Sequence, residues 1–134
     1  MLNNQPLIAV VDDDAPVRTS LRRLLRSAGF VVATFESGDA FLGTLPAAGS
    51  EGAPDCLVLD LHMPGRNGFD VRSALTTAHR DIPTIVITGK EEPDTADLVS
   101  AAGAIAFLTK PFDESLLLTA VRNSLTDLRG MSPA

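Results

Sequence analysis

One cysteine stands in the whole sequence, Cys56, and it lies inside the apolar run Cys56-Leu57-Val58-Leu59. No internal disulfide can form, the thiol reads as a small buried hydrophobe, and a reducing cytoplasm is the expected compartment. Basic residues are also in short supply, with 11 Lys and Arg against 17 Asp and Glu and a formal net charge of -6. Gripping a phosphodiester backbone needs clustered cations to displace counterions, so direct nucleic-acid binding by this chain is not expected. The opening Met1-Leu2-Asn3-Asn4-Gln5-Pro6 lacks a basic segment followed by a long apolar stretch, and no later run is long enough to span a bilayer. Export and membrane embedding are therefore not expected. Low-complexity tracts are missing too, and 134 residues at 45% hydrophobic suffice for one compact domain but not for two ordinary ones.

What is present is a regular alternation. Short apolar runs occur at Leu7 to Val11, Cys56 to Leu59, Thr84 to Ile87 and Ala104 to Leu108, with a weaker one at Phe30 to Phe35. Continuous apolarity predicts strands covered on both faces, as in a parallel sheet. Helical periodicity lies between them, clearest over Ala15 to Ala28, where Val17, Leu21, Leu24, Leu25 and Ala28 form one stripe. Asp14 or Ala15 can cap its start, Pro16 suits the first turn, and Gly29 can end it. Arg18, Arg22, Arg23 and Arg26 fall mostly off the stripe and read as a solvated helix face. Further helices are expected around Ser37 to Thr44, Asn67 to Ala78, Asp94 to Ala101 and Asp113 to Leu128, with a loop over Pro46 to Pro54. Five β-α repeats imply right-handed crossovers and a parallel sheet between helices.

Ligands of such sheets bind beyond the carboxyl ends of the strands. Those ends carry Asp12-Asp13-Asp14, Asp60, Thr88 and Lys110. An unpaired carboxylate ending an apolar strand is costly to bury, so core packing does not ask for one. Converging acidic groups repel one another unless a cation intervenes, and a divalent cation together with Lys110 supplies the missing charge. Mg²⁺ prefers hard oxygen ligands. With it, Asp60 becomes a plausible nucleophile toward a phosphoryl donor, while Lys110 and the Thr88 hydroxyl can neutralise or hydrogen-bond the transferring group.

At these residues the sequence resembles the receiver domains of bacterial two-component systems, from Leu7 to about Leu128. The motifs are Val10-Val11-Asp12-Asp13-Asp14, Leu59-Asp60-Leu61-His62-Met63-Pro64-Gly65 with Asn67-Gly68, Ile87-Thr88-Gly89 and Phe107-Leu108-Thr109-Lys110-Pro111-Phe112. The stretch from Thr88 to Phe112 resembles the FixJ type in particular. The resemblance implies a flavodoxin-like (βα)5 fold with strand order 2-1-3-4-5, residues 1–128 as the domain and 129–134 as a flexible tail. It implies a signalling switch that accepts a phosphoryl group on Asp60 from a sensor histidine kinase or phosphotransfer protein, and that catalyses only its own phosphorylation and dephosphorylation. Asp13 and Asp60 would ligate Mg²⁺ directly, Asp12 largely through water, and His62 through its backbone carbonyl. Lys110 would ion-pair across the site, joined to Pro111 by a cis bond. Thr88 and Phe107 would form the switch pair, Phe107 lacking the hydroxyl of the Tyr often found there.

Output would pass through the face of the fourth helix, fifth strand and fifth helix, to a downstream protein or a tethered output domain, with homodimerisation one possible form. A stand-alone receiver and the amino-terminal receiver of a transcription regulator both fit. His62, two residues after Asp60, and Lys90, two after Thr88, are placed to overhang the phosphoryl group and tune its lifetime. Three simpler assignments stand beside these: Asp14 as a helix cap, His79 as a surface residue, and His62 with His79 too far apart and without Cys partners for zinc. The alternative function is a phosphorylation-independent pseudo-receiver that serves as a binding module, against which Asp12, Asp13, Asp60, Thr88 and Lys110 all speak. A phosphatase of the haloacid-dehalogenase kind would want Asp where His62 stands.

Overall fold

Each apolar run ends where a polar or turn-forming residue begins, and the backbone follows that punctuation. The computed structural model describes residues 5–45, 53–61, 63, 65, 67–78, 82–88, 106–109 and 113–130. Five strands, β1 (Leu7–Val11), β2 (Val31–Phe35), β3 (Cys56–Asp60), β4 (Thr84–Thr88) and β5 (Ala106–Thr109), form one sheet. Its order is β2-β1-β3-β4-β5 and every pairing is parallel. The described helices are α1 (Ala15–Ser27), α2 (Gly38–Leu42), α3 (Gly68–Thr77) and α4 (Glu114–Gly130). The helix expected over 94–101 and most of the expected loop lie outside the described residues.

Strand residues alternate between two cores. Ile8, Val10, Cys56, Val58, Ile85 and Ile87 meet Leu21 and Leu25 of α1 and Leu117, Val121 and Leu125 of α4. Ala9, Val11, Leu57 and Leu59 meet Phe41 of α2 and Val71 and Leu75 of α3. The central strands β1, β3 and β4 are thus covered on both faces, and a parallel sheet needs this because its crossovers lay helices on each side. Burying each of these large aliphatic side chains stabilises the fold by about 1.5–3 kcal/mol.

The stripe of α1 divides as expected: Leu21 and Leu25 are buried, with Val17 and Leu24 partly so against the same core. The helix ends through Gly29 at φ +98, with Gly29 N donating to Arg26 O and Phe30 N to Leu25 O. This pair of bonds closes orphan carbonyls through a left-handed residue that only glycine adopts cheaply. The helix α2 is shorter than expected, ending at Leu42; Thr44 instead turns its hydroxyl back to Phe41 O at 2.8 Å. The helix α4 runs to Gly130, past the expected Leu128.

Candidate functional site

Three central strands end side by side in polar residues. The last rung between β1 and β3 pairs Val11 with Leu59, so Asp12 and Asp60 are the next residue along each chain. Asp60 in turn pairs with Ile87 of β4, and Thr88 follows. Asp12, Asp60 and Thr88 are 0, 3 and 0% exposed, whereas Asp13 is exposed. Each of Asp12, Asp13 and Asp60 offers a carboxylate oxygen, and the three oxygens lie within 4.8 Å of one another.

Hydrogen bonds fix the backbone that carries this cluster. Asp12 N donates to Phe35 O at 3.1 Å, which ties the end of β1 to β2. The Asp12 carboxylate accepts from Asp14 N at 2.9 Å through Oδ1. Asp14 occupies the N-cap position of α1, but its side chain makes no capping bond; the expected cap is replaced by this turn. Arg18 Nη1 donates to Asp12 O at 2.8 Å. Arg18 is half-buried, while Arg22, Arg23 and Arg26 are exposed, so the expectation of a solvated arginine face holds for three of the four.

The segment after Asp60 is anchored as firmly. Leu61 N donates to Ile87 O at 2.9 Å, and Gly68 N donates to Leu61 O at 3.0 Å. A Cβ on Gly68 would fall 2.9 Å from both Asp60 O and Leu61 Cα, so only glycine lets α3 start this close to β3. Asn67 caps α3, accepting from Asp70 N while the Asp70 carboxylate accepts from Asn67 N, both at 3.0 Å, a reciprocal capping box. Gly65 turns the chain at φ +74, and Met63 is buried in the core shared with α3.

Four expected site residues, Asp12, Asp13, Asp60 and Thr88, therefore come to one sheet edge. Phe107 takes its place in β5 opposite Val86, but its side chain lies outside the described residues, as do His62, Lys90 and Lys110. Arg18 and the close approach at Gly68 were not anticipated. A cation in the first turn of a helix, where the dipole favours acids, was the signal available for Arg18.

The chemistry open to this edge follows from its charge. Two buried ionised carboxylates at this separation repel by roughly 3–4 kcal/mol at an effective dielectric of 20. A divalent cation relieves that repulsion, and one with its oxygen ligands at about 2.0–2.1 Å has opposed ligands about 4.2 Å apart, close to the span of the cluster. Among the described residues the donors are all hard oxygens, the kind suited to Mg²⁺ rather than to softer metals.

Known proteins resemble this chain in sequence and in fold. The family model described as the response regulator receiver domain matches residues 8–122. The response regulator protein TmoT of Ectopseudomonas mendocina is 40% identical over 125 residues, covering 93% of this chain and 55% of the relative. The transcriptional regulatory protein FixJ of Bradyrhizobium diazoefficiens is 35% identical over 118 residues, covering 88% of this chain and 56% of the relative. The chain thus spans about half the length of the curated relatives it matches. The crystal structure of FixJ-N superposes with a TM-score of 0.80 at 33% identity, covering 93% of this chain and 96% of that one. With the family match over most of its length and the FixJ likeness in both sequence and structure, the chain belongs to the response-regulator receiver domains of two-component systems, and among them to the FixJ type.

Proposed function

We propose that this receiver accepts a phosphoryl group on Asp60 from a sensor histidine kinase or phosphotransfer protein in the cytoplasm, with Mg²⁺ as cofactor. The observation that carries the reading is the buried Asp60 at the end of a central strand, with oxygens of Asp12 and Asp13 within 4.8 Å. Asp13 and Asp60 would hold the cation directly, Asp12 would act through water and the His62 carbonyl would complete the protein's share. When bound, Mg²⁺ neutralises the carboxylates and draws charge from the phosphoryl oxygens. An Asp60 carboxylate oxygen attacks the phosphorus of a phosphohistidine; the new P–O bond forms as the P–N bond breaks, and the leaving imidazole keeps the electron pair and takes up a proton. Lys110 pairs with the phosphoryl oxygens and the Thr88 hydroxyl donates to one of them.

The switch then follows from charge. Thr88 moves toward the phosphoryl group, Phe107 follows inward, and the two-state population shifts by the difference in phosphoryl contacts between the states. Output leaves through the face made by the expected helix over 94–101, β5 and α4. Its recipient is a downstream protein or a tethered output domain that regulates transcription, and a second copy of the receiver can dock on the same face. His62, two residues after Asp60, and Lys90, two after Thr88, tune the lifetime of the phosphorylated form, which the chain itself hydrolyses without acting on outside phosphate esters.

The test of the metal requirement is intact mass after incubation with acetyl phosphate, in Mg²⁺ and in EDTA. One phosphoryl adduct in Mg²⁺ and none in EDTA is expected; equal adducts in both would remove the cation from the account.

A further inference from the structure

We infer that Arg18 is a positioning residue that sets the cation affinity of the acidic cluster by holding the Asp12 carbonyl, an inference that rests on the metal assignment above. The guanidinium donates to Asp12 O at 2.8 Å from the first turn of α1, a turn that contains no acidic residue. A cation there opposes the helix dipole, so its placement is explained by what it contacts rather than by the helix it belongs to.

Asp12 O is part of the peptide plane that leads into Asp13. Pinning it fixes the direction in which the Asp13 carboxylate leaves the backbone. The same three-residue turn is held on its entry side by Asp12 N to Phe35 O and on its exit side by Asp14 N to Asp12 Oδ1. Arg18 supplies the hold in the middle, between the two carboxylates that this turn contributes to the cluster. A cation site pays less for ordering when its ligands are already placed, and partners that orient ligands from behind commonly change metal affinity by roughly 10-fold or more.

Charge alone predicts the opposite sign. Arg18 is positive and close, so if it acted only through its field, removing it would tighten Mg²⁺ binding. If it acts through the Asp12 carbonyl, removing it weakens binding. The exposed Arg22, on the same helix, provides a control that removes the same charge without touching the turn.

Calorimetric titration of the intact chain with MgCl₂ separates these cases, using wild type, Arg18→Met, Arg18→Lys, Arg22→Met and Asp13→Asn. The expected result is a Kd about 10-fold weaker for Arg18→Met, a smaller loss for Arg18→Lys, and a change within about 2-fold for Arg22→Met, where exposed charge is screened. Unchanged or tighter binding by Arg18→Met, or an equal loss in Arg22→Met, would overturn the role of Arg18. Circular dichroism and a thermal melt accompany each variant. Should Arg18→Met not fold, Arg18→Lys decides: weaker binding supports the inference and wild-type affinity overturns it. Absent Mg²⁺ binding by wild type, or wild-type binding by Asp13→Asn, would overturn the metal assignment itself, a result distinct from the failure of Arg18 alone and one that takes the inference with it.

Discussion

The strand β3 begins and ends in a buried titratable group, and the two ends treat theirs in opposite ways. At the start, Cys56 is fully buried with the Ser124 hydroxyl oxygen 3.3 Å from its sulfur. Burial pushes its thiol up to about 11, with Asp55 adding to the rise and the hydrogen bonds from Ser124 and the Leu57 backbone offsetting part of it. At the other end, Asp60 is 3% exposed but shares its edge with two further carboxylates. Cys56 and Asp60 are four residues apart and so fall on the same side of the strand. What differs is the cover: α1 and α4 close over Cys56 with aliphatic side chains, whereas the far edge is capped by turns that bring polar groups. Burial makes the first group inert; at the second, like charges are gathered as well, which favours the uptake of a cation.

The largest effect is expected at the closed end. Leu117 is fully buried in the core that holds Cys56, and Leu117→Ala should lower stability by about 2–5 kcal/mol through lost transfer energy and a cavity. Urea unfolding measures this. A cost below about 1 kcal/mol would mean that α4 does not seal this end as described.

Next comes pH. The thiol is raised from its ordinary value of 9.0 to about 11 in the folded chain. Below pH 9 both states keep the proton and stability is untouched. Between pH 9 and 11 the unfolded chain loses the proton while the folded one retains it, so stability falls as pH rises through this window, by about 2–3 kcal/mol. Cys56→Ala should remove that part of the alkaline slope in thermal melts, and an unaltered slope would show that Cys56 does not contribute it.

The smallest effect has the opposite sign. Without Mg²⁺, Asp13→Asn should raise the melting temperature slightly, because it removes one of three mutually repelling carboxylates; adding Mg²⁺ should stabilise wild type and not the variant. A lower melting temperature for Asp13→Asn without metal would mean that Asp13 is held by something other than repulsion with its neighbours.

How far each region could be read in advance follows from the same contrast. The closed body is legible because burial on both faces writes itself as unbroken apolar runs; β1 begins and ends where its run does, and the other strands differ by a residue or two. Three strands, β3, β4 and β5, extend one residue past their apolar runs, through Asp60, Thr88 and Thr109. Hydrophobicity stops there, but the backbone ladder does not. The acids at the polar edge were visible because a carboxylate closing an apolar strand has no packing reason. Their supports were not. Whether Asp12 or Asp14 turns its carboxylate toward the start of α1, whether Arg18 reaches back to Asp12 O, and how closely Gly68 passes Asp60 O all depend on three-dimensional approach between segments. Local propensity favoured Asp14 as the cap; the tertiary turn gave the role of accepting a backbone N–H to Asp12.

The most direct test of the central claim is intact mass of wild type and Asp60→Asn after incubation with Mg²⁺ and acetyl phosphate. The account predicts one phosphoryl group on wild type and none on a variant that still folds and melts cooperatively. An equal adduct on Asp60→Asn, or none on wild type under conditions where Mg²⁺ is bound, would contradict it.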